Sequence, residues 1–593
     1  MNALSKAPFR NPRYAERRLE VHKQDDGGWI LTNPMPFDGT VSHTLQRLLH
    51  WAEVAPDRTW LAERSGAGWR KVSFAESLDR ILILAKSLDR FDLGQDRPLI
   101  ILARNGIDHA LISYAAMSQG IPIAPVSPQY GLPGADLTRL SHASQVIQPG
   151  AIYVDDASQF ADSIAGIGGL AGLPVIASRP SRPSDIALED LFLGSAAEVT
   201  CQGDQIAKLL LTSGSTGLPK AVMCGHSGMA ANAAQIAACF DDDEPPVVVN
   251  SAPWSHSLGA NAILHMVLHR GGTLYIDAGQ PTPEKFAPTL DNLKDIAPTY
   301  HNMVPVGWGL FAGALESDPI LARKFFSKVR VLQYGGASMP QSVCDRVQKV
   351  AVATVGERIT FATGYGSTET GPTACNIHWP NDESGLCGLP VPGTSVRLAP
   401  QDGKFEMRVK GPQMFQGYYR RPELTADAYD ELNFYRLGDA AKLADDSAPQ
   451  AGLIFDGRLV ENFKLTSGTF VAAGALRVSA VSALGGLASD ALVCGEGQSG
   501  VGLLLFVSPD ATDAWSPDDL RAEIGQRLVA LNREALGSGA RIIRAMILDG
   551  LPDPASGEIT DKGYINQALA RSRRPSELVK LFEDNPEPDV IVV

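Results

Sequence analysis

The chain has 593 residues, a hydrophobic share of 44% and a formal charge of −14. Its length exceeds what one core can organise, so about three or four structural units grouped into two functional domains are expected. The acidic balance argues against a general nucleic-acid binder, which needs cationic surface to displace counterions, and the seven cysteines, at 201, 224, 239, 344, 375, 387 and 494, make no CxxC pair and no metal-ligand spacing.

Along the chain, residues 1–40 are polar and proline-punctuated and are expected to drape over a domain without joining its core. No apolar targeting segment opens the chain and no later run reaches the length of a membrane span, so a cytoplasmic protein with reduced thiols and no membrane partner is expected. Leu45, Leu48, Leu49 and Ala52, at helical spacing, predict a helix over 44–55. A strand at 98–102, a turn at Asn105-Gly106, a helix over 110–118 and a strand over 120–126 form a strand–helix–strand unit, which implies a parallel sheet with right-handed crossovers. Strands at 206–211 and 221–224, a helix over 229–240 capped by Ser227, and strands at 247–249, 273–276, 329–333 and 358–361 extend the pattern. Alternation over 405–409 predicts a half-exposed antiparallel strand in a β subdomain, and a turn at Asp456-Gly457 separates a large domain, 1–456, from a small α/β domain, 457–593. Arg571-Ser-Arg-Arg574 reads as a solvated helix end.

Two segments carry chemistry. In Thr212-Ser-Gly-Ser-Thr-Gly-Leu-Pro-Lys220, Gly214 and Gly217 let backbone N–H groups approach an anion, Thr212, Ser213, Ser215 and Thr216 supply hydroxyls, and Lys220 a mobile charge. The glycine spacing and the Ala221 after the lysine exclude a Walker A loop, and the flanks predict a loop between two strands. Taken alone, the stretch reads equally well as a flexible turn. In Tyr365-Gly-Ser-Thr-Glu369, hydroxyls and glycine again cluster, now with one carboxylate: Glu369 suits a hard cation such as Mg2+ and Thr368 a phosphate oxygen, the plainer alternative being a polar turn.

These two segments, followed in order by Tyr435-Arg-Leu-Gly-Asp439 and Gly457-Arg458, resemble the core motifs of the adenylate-forming superfamily of acyl-CoA synthetases, adenylation domains and luciferases, over roughly residues 40–570. The resemblance implies an α/β fold, with a large N-terminal domain of αβαβα-type sheets and a β subdomain, plus a small mobile C-terminal α/β domain turning on a hinge near 457–461. It implies ATP, Mg2+ and CoA as cosubstrates and a small aromatic carboxylic acid as partner, with oligomeric state left open and a homo-oligomer among the options.

By the same resemblance Ser213 to Gly217 and Lys220 hold the ATP phosphates, Gly335, Gly336 and Ala337 run along adenine with Tyr365, Gly366 and Ser367 nearby, Asp439 takes the ribose hydroxyls, and Arg458 adds a sugar or phosphate contact. Pro253-Trp-Ser-His256 stands beside the acyl pocket with His256 placing the carboxylate or gating the site, and Trp254, His256, Tyr300, His301 and Met303 are compatible with a flat ring. Lys562 is implied as the adenylation lysine and Lys464 as the lysine presented for thioester formation. Two positions depart from the pattern: Glu558 stands where many relatives have that lysine, and Val460 where a charged hinge residue is common. The stretches from Gly457 to Phe470 and from Gly557 to Gln567 look like those of bacterial feruloyl-CoA synthetases, which implies a hydroxycinnamic acid, the alternatives being a ligase for benzoate, another aryl acid or a fatty acid, and a catalytically silent nucleotide-binding protein.

Overall fold

A computed structural model describes the chain apart from residues 1–6, 11–12, 213–218, 241–243, 338, 402, 460–462, 468, 536, 553–557 and 559–564. Leu99–Leu102 is buried at every position, as a strand covered on both faces must be, and it is flanked in parallel by Ile123–Pro125 and Ala151–Asp156. The crossover helix Ile107–Ser118 is buried almost all round, which explains why it carries apolar and small residues on every face. At one edge this sheet ends in the antiparallel pair Ile206–Thr212 and Lys220–Gly225, with Thr212 opposite Lys220, so the phosphate-type stretch is flanked by two paired strands, as predicted.

A second sheet aligns Val247–Asn250, Thr273–Ile276 and Thr59–Ser65 in parallel, closed by Gly68–Ser73. In a third, the parallel strands Tyr300–Met303, Val331–Tyr334 and Thr360–Tyr365 pass into an antiparallel ladder that includes Leu386–Pro390, Leu453–Arg458, Tyr435–Leu443, Lys404–Lys410 and Ser395–Gln401. The fold is therefore α/β, with a large N-terminal part of layered sheets and a smaller C-terminal one. In the latter, Ala488–Cys494, Val501–Val507, Ile542–Ile547 and Val590–Val592 form a sheet packed with the helices Ala473–Leu484 and Pro517–Glu534 over an aliphatic core.

Several expectations are corrected. The N-terminal stretch does not merely drape: Glu20–Lys23 and Trp29–Thr32 form a hairpin that adds to Ser395–Gln401, with Leu31 fully buried. Lys404–Lys410 is not half-exposed, because its polar side chains are internalised as ion pairs: Glu406 binds Arg408 at 2.7 Å, and Asp430 binds both Arg408 and Arg397 at 2.9 Å. Asp456-Gly457 is not a turn; the pair lies inside the strand Leu453–Arg458, where Gly457 takes φ +96°. Helix His226–Ala238 starts before Ser227 and is capped by Gly225, against which a side chain would clash with Gln416. Arg574 is no solvated helix end, since it turns inward onto Glu558. All seven cysteines are free and buried, and among the described residues no helix is long and apolar enough to cross a membrane.

Candidate active site

Thr212 ends its strand directly opposite Lys220, on the side of the strand shared with Leu210 and Lys208 by the two-residue period of a β-strand. The Lys220 ammonium lies 4.7 Å from the centre of the Tyr418 ring, and the Tyr418 hydroxyl donates to Glu369 Oε1 at 3.1 Å. One tyrosine thus joins the two glycine-rich motifs, offering its π face to the cation and its hydroxyl to the carboxylate. Burial, reinforced by the Glu369 charge, raises the Tyr418 hydroxyl's pKa, which keeps it a donor. Ser213, Gly214, Ser215, Thr216 and Gly217 lie outside the described residues.

Glu369 is held in a tight turn after the strand Thr360–Tyr365. At Gly366 any Cβ would stand 2.2 Å from Pro372 O, so the turn excludes a side chain there, and the short helix Thr368–Thr370 follows with Ser367 N–H donating to Thr370 Oγ1 at 2.8 Å. The Glu369 carbonyl accepts from Phe415 N–H at 2.9 Å, while Thr368 Oγ1 lies 3.1 Å from Ser257 Oγ. Among the described residues no three Asp, Glu, His or Cys side chains converge as a metal cage. A single buried carboxylate is the donor set for a hard cation that keeps its waters and takes the rest of its oxygens from phosphates, so the residues fit Mg2+ bound together with a nucleotide.

On the other side of Glu369, Tyr365 Oη donates to Asp439 Oδ2 at 2.5 Å, and Asp439 Oδ1 is 3.5 Å from Arg458 Nε, the two residues being paired in the ladder. Burial, with the Asp439 charge second, raises the Tyr365 pKa and keeps this donor protonated. Gly335, Gly336 and Ala337 follow the strand Val331–Tyr334; Gly336 has φ +83°, and a Cβ on Gly335 would stand 3.6 Å from Leu258 Cδ1. The structure links Lys220 to Glu369 through Tyr418, and Tyr365 to Arg458 through Asp439, with Thr368 beside Glu369 in the turn that follows the Tyr365 strand.

His256 is half-buried at a corner whose carbonyl starts the following helix by accepting from Ala260 N–H at 2.9 Å. Gly259 leans on this corner so closely that a Cβ would meet Ala252 O at 2.3 Å. Trp254 packs edge-on to His109 at 5.0 Å. His301, by contrast, sits in the aromatic core between Trp308 and Phe325, at 5.5 and 5.2 Å, so it does not share a pocket wall with Trp254.

Lys464 is exposed, and the backbone partners of its strand, Phe470 and Gly497, belong to the C-terminal part. Lys562 and Val460 lie outside the described residues. Glu558 is fixed: its carboxylate accepts from Arg574 at 2.7 and 2.9 Å, with Arg573 at 3.4 Å, and its carbonyl accepts from Asn566 N–H at 2.7 Å. A structural ion pair therefore occupies the position that many relatives give to a lysine. Sequence reasoning missed Tyr418, Ser257 and Lys208. For Lys208 a signal existed, a lone cation inside the apolar run 206–211; for Tyr418 and Ser257 none did, since their roles come from long-range pairing.

Residues 48–419 match the family model for an AMP-binding enzyme, and residues 479–585 the model for an AMP-binding enzyme C-terminal domain. A 4-coumarate–CoA ligase of Pinus taeda is 25% identical over 432 residues, covering 68% of this chain and 74% of that protein. A feruloyl-CoA synthase of an Amycolatopsis species is 26% identical over 392 residues, covering 64% and 72%. Among solved structures, ATP-bound MatB from Rhodopseudomonas palustris superposes with a TM-score of 0.73 at 20% identity, over 91% of this chain and 99% of that one, a likeness of fold.

Proposed function

The chain belongs to the AMP-binding enzyme family, and from that premise we propose that it is an ATP-dependent acid:CoA ligase whose acid is ferulate or a related hydroxycinnamate. The observation that carries the reading is the convergence of a phosphate-type hairpin, a single buried carboxylate and a ribose-type carboxylate: Lys220 reaches Glu369 through Tyr418, and four residues before Glu369 Tyr365 grips Asp439.

In the first half-reaction a carboxylate oxygen of the acid attacks the α-phosphorus of ATP, and the bond from that phosphorus to the α,β-bridging oxygen breaks to release pyrophosphate. Thr212, the loop 213–217 and Lys220 hold the phosphates, and the lysine offsets charge that moves onto the leaving oxygens. Glu369 would hold Mg2+, which supplies neutralisation at the phosphates. Asp439 accepts from the ribose hydroxyls, Arg458 and Tyr365 set its orientation, and residues 335–337 border the adenine. Thr368, tied to Ser257, and His256 face the acid and its carboxylate. Lys562 is the adenylation lysine; Glu558, committed to Arg574, leaves that role to it.

In the second half-reaction the CoA sulfur attacks the acyl carbon, AMP leaves with the bonding pair, and the thiol proton passes to solvent. The reading includes a rotation of 457–593 about a hinge near 457–461, with Gly457 as pivot and Lys464 on the face presented second. Relatives named for 4-coumarate and ferulate support the acid class. Purified protein given ferulate, ATP, Mg2+ and CoA is expected to form AMP and a thioester in equal amounts. AMP and thioester from a fatty acid or benzoate, with none from any hydroxycinnamate, would overturn the acid class while leaving the ligase.

A further inference from the structure

Lys208 is 2% exposed, and the reaction described above does not use it. It lies in the hairpin strand Ile206–Thr212, four residues before Thr212, and its ammonium is bound within the fold by Ala260, Asn261 and His265. Its Nζ donates to Ala260 O at 3.0 Å and Asn261 Oδ1 at 3.2 Å, and lies 2.9 Å from His265 Nε2. His265 Nδ1 in turn is 2.8 Å from the hydroxyl of the fully buried Tyr114. Three acceptors match the three N–H groups of an ammonium, yet among the described residues Lys208 forms no ion pair. Burial lowers its pKa to about 7 and holds His265 well below its ordinary value, so the imidazole stays neutral and able to accept.

What the ammonium grips is unusual. Residues Leu258–Ile263 form a widened turn in which Leu264 N–H reaches back five residues to Gly259 O. Such turns have weaker internal hydrogen bonding than an α-helix and occur where a helix must re-aim its side chains. This turn touches three parts of the site: Gly259 is jammed against Ala252 and Pro253, Ser257 bonds Thr368, and Leu258 packs over Gly335. Lys208 contacts none of the three but holds the turn that carries them.

We infer that Lys208 is a positioning residue for acid recognition: its buried ammonium fixes the wide turn Leu258–Ile263 and thereby sets His256, Ser257 and Leu258 against the acid. This rests on the proposed placement of the acid beside His256. It also links the two substrates mechanically, since the strand that ends in the phosphate hairpin clamps the turn that faces the acid.

The test uses the full-length protein carrying Lys208→Met, which keeps the stem and removes the charge, and Asn261→Leu, which removes one acceptor. Lys208→Met is expected to raise the KM for the acid about tenfold and to change the ranking within an acid panel, while the KM for ATP stays within about twofold. Asn261→Leu is expected to act in the same direction by about threefold, and Asn261→Asp, which keeps an acceptor, to restore the wild-type value. A purely structural lysine would lower the melting temperature and the active fraction but leave both KM values and the acid ranking unchanged; that result in a folded variant would overturn the inference, as would equal rises in both KM values. Hydrogen exchange supplies an arm independent of the acid: amides of 256–265 should exchange faster in Lys208→Met while those of the helix Ala287–Asp295 do not, and unchanged exchange over 256–265 would also overturn it. If Lys208→Met does not fold, Asn261→Leu carries both arms. Wild-type protein that activates no acid would refute the proposed function alone, the exchange arm still deciding on Lys208.

Discussion

The two parts of this chain differ in how much polar side chain they bury. Before residue 459 the core holds a cation without a counter-charge at Lys208, neutral histidines at 226, 265 and 301, and the Glu369 and Thr368 side chains, each placed by strands distant in sequence. After it, the buried polar side chains among the described residues are Glu558 and Gln567, and the rest of the core is apolar. One part is an instrument pre-set around nucleotide and acid; the other is a hard body stabilised by apolar burial, with one charged clasp beside the segment bearing Lys562. Preorganised polar geometry costs stability, and a part proposed to deliver a lysine does not need it.

The contrast can be broken most sharply at Lys562. Lys562→Ala is expected to cut acid-dependent pyrophosphate exchange by about a thousandfold while leaving thioester formation from preformed acyl-AMP within about threefold. Equal losses in both steps would mean that the small part does not divide its work between two faces. Next in size is the clasp: Glu558→Ala leaves the half-buried Arg574 guanidinium without its carboxylate and should destabilise the C-terminal part by about 3 kcal/mol, with the unfolding of the large part unmoved in calorimetry.

Acid should then separate the two parts without mutation. All eleven histidines precede residue 457. Burial lowers the pKa of His226 and of His301 to about 3, so the unfolded chain, titrating near 6.5, binds more protons than the folded one below that pH. Stability is therefore lost as pH falls from about 6.5 toward 5, above the carboxylate range, by about 2 kcal/mol per such histidine at pH 5, and this loss falls on the large part. A parallel loss in the C-terminal transition would contradict this. Smallest is Tyr418→Phe, which keeps a ring under Lys220 but removes the bond to Glu369; adenylation should slow about tenfold with a raised Mg2+ requirement and unchanged melting temperature.

Much of the large part was legible in sequence because its strands are continuous apolar runs and its loops are punctuated by glycine. Leu99–Leu102 and Thr273–Ile276 fall where periodicity puts them. What escaped was set by partners far along the chain. Lys404–Lys410 reads as half-exposed until Asp430 and Arg397 arrive to neutralise it, and Asp456-Gly457 reads as a turn until Tyr435–Leu443 pairs beside it. Tyr418 carried no local mark, because its role is to stand between a lysine and a glutamate that lie 198 and 49 residues before it.

The segment that carries Tyr418 has another effect. Lys220–Gly225 is the last strand of its sheet, and an edge strand with free N–H and C=O groups invites pairing with another chain. Residues 416–419 occupy that edge: Met223 N–H donates to Gly417 O, and Met223 O and Ala221 O accept from Gln416 and Tyr419 N–H, all at 2.9 Å. The strap thus insulates the sheet against recruiting foreign strands. Substitutions that loosen 415–419 are accordingly expected to betray themselves first as aggregation on concentration, while the residual monomer still turns over.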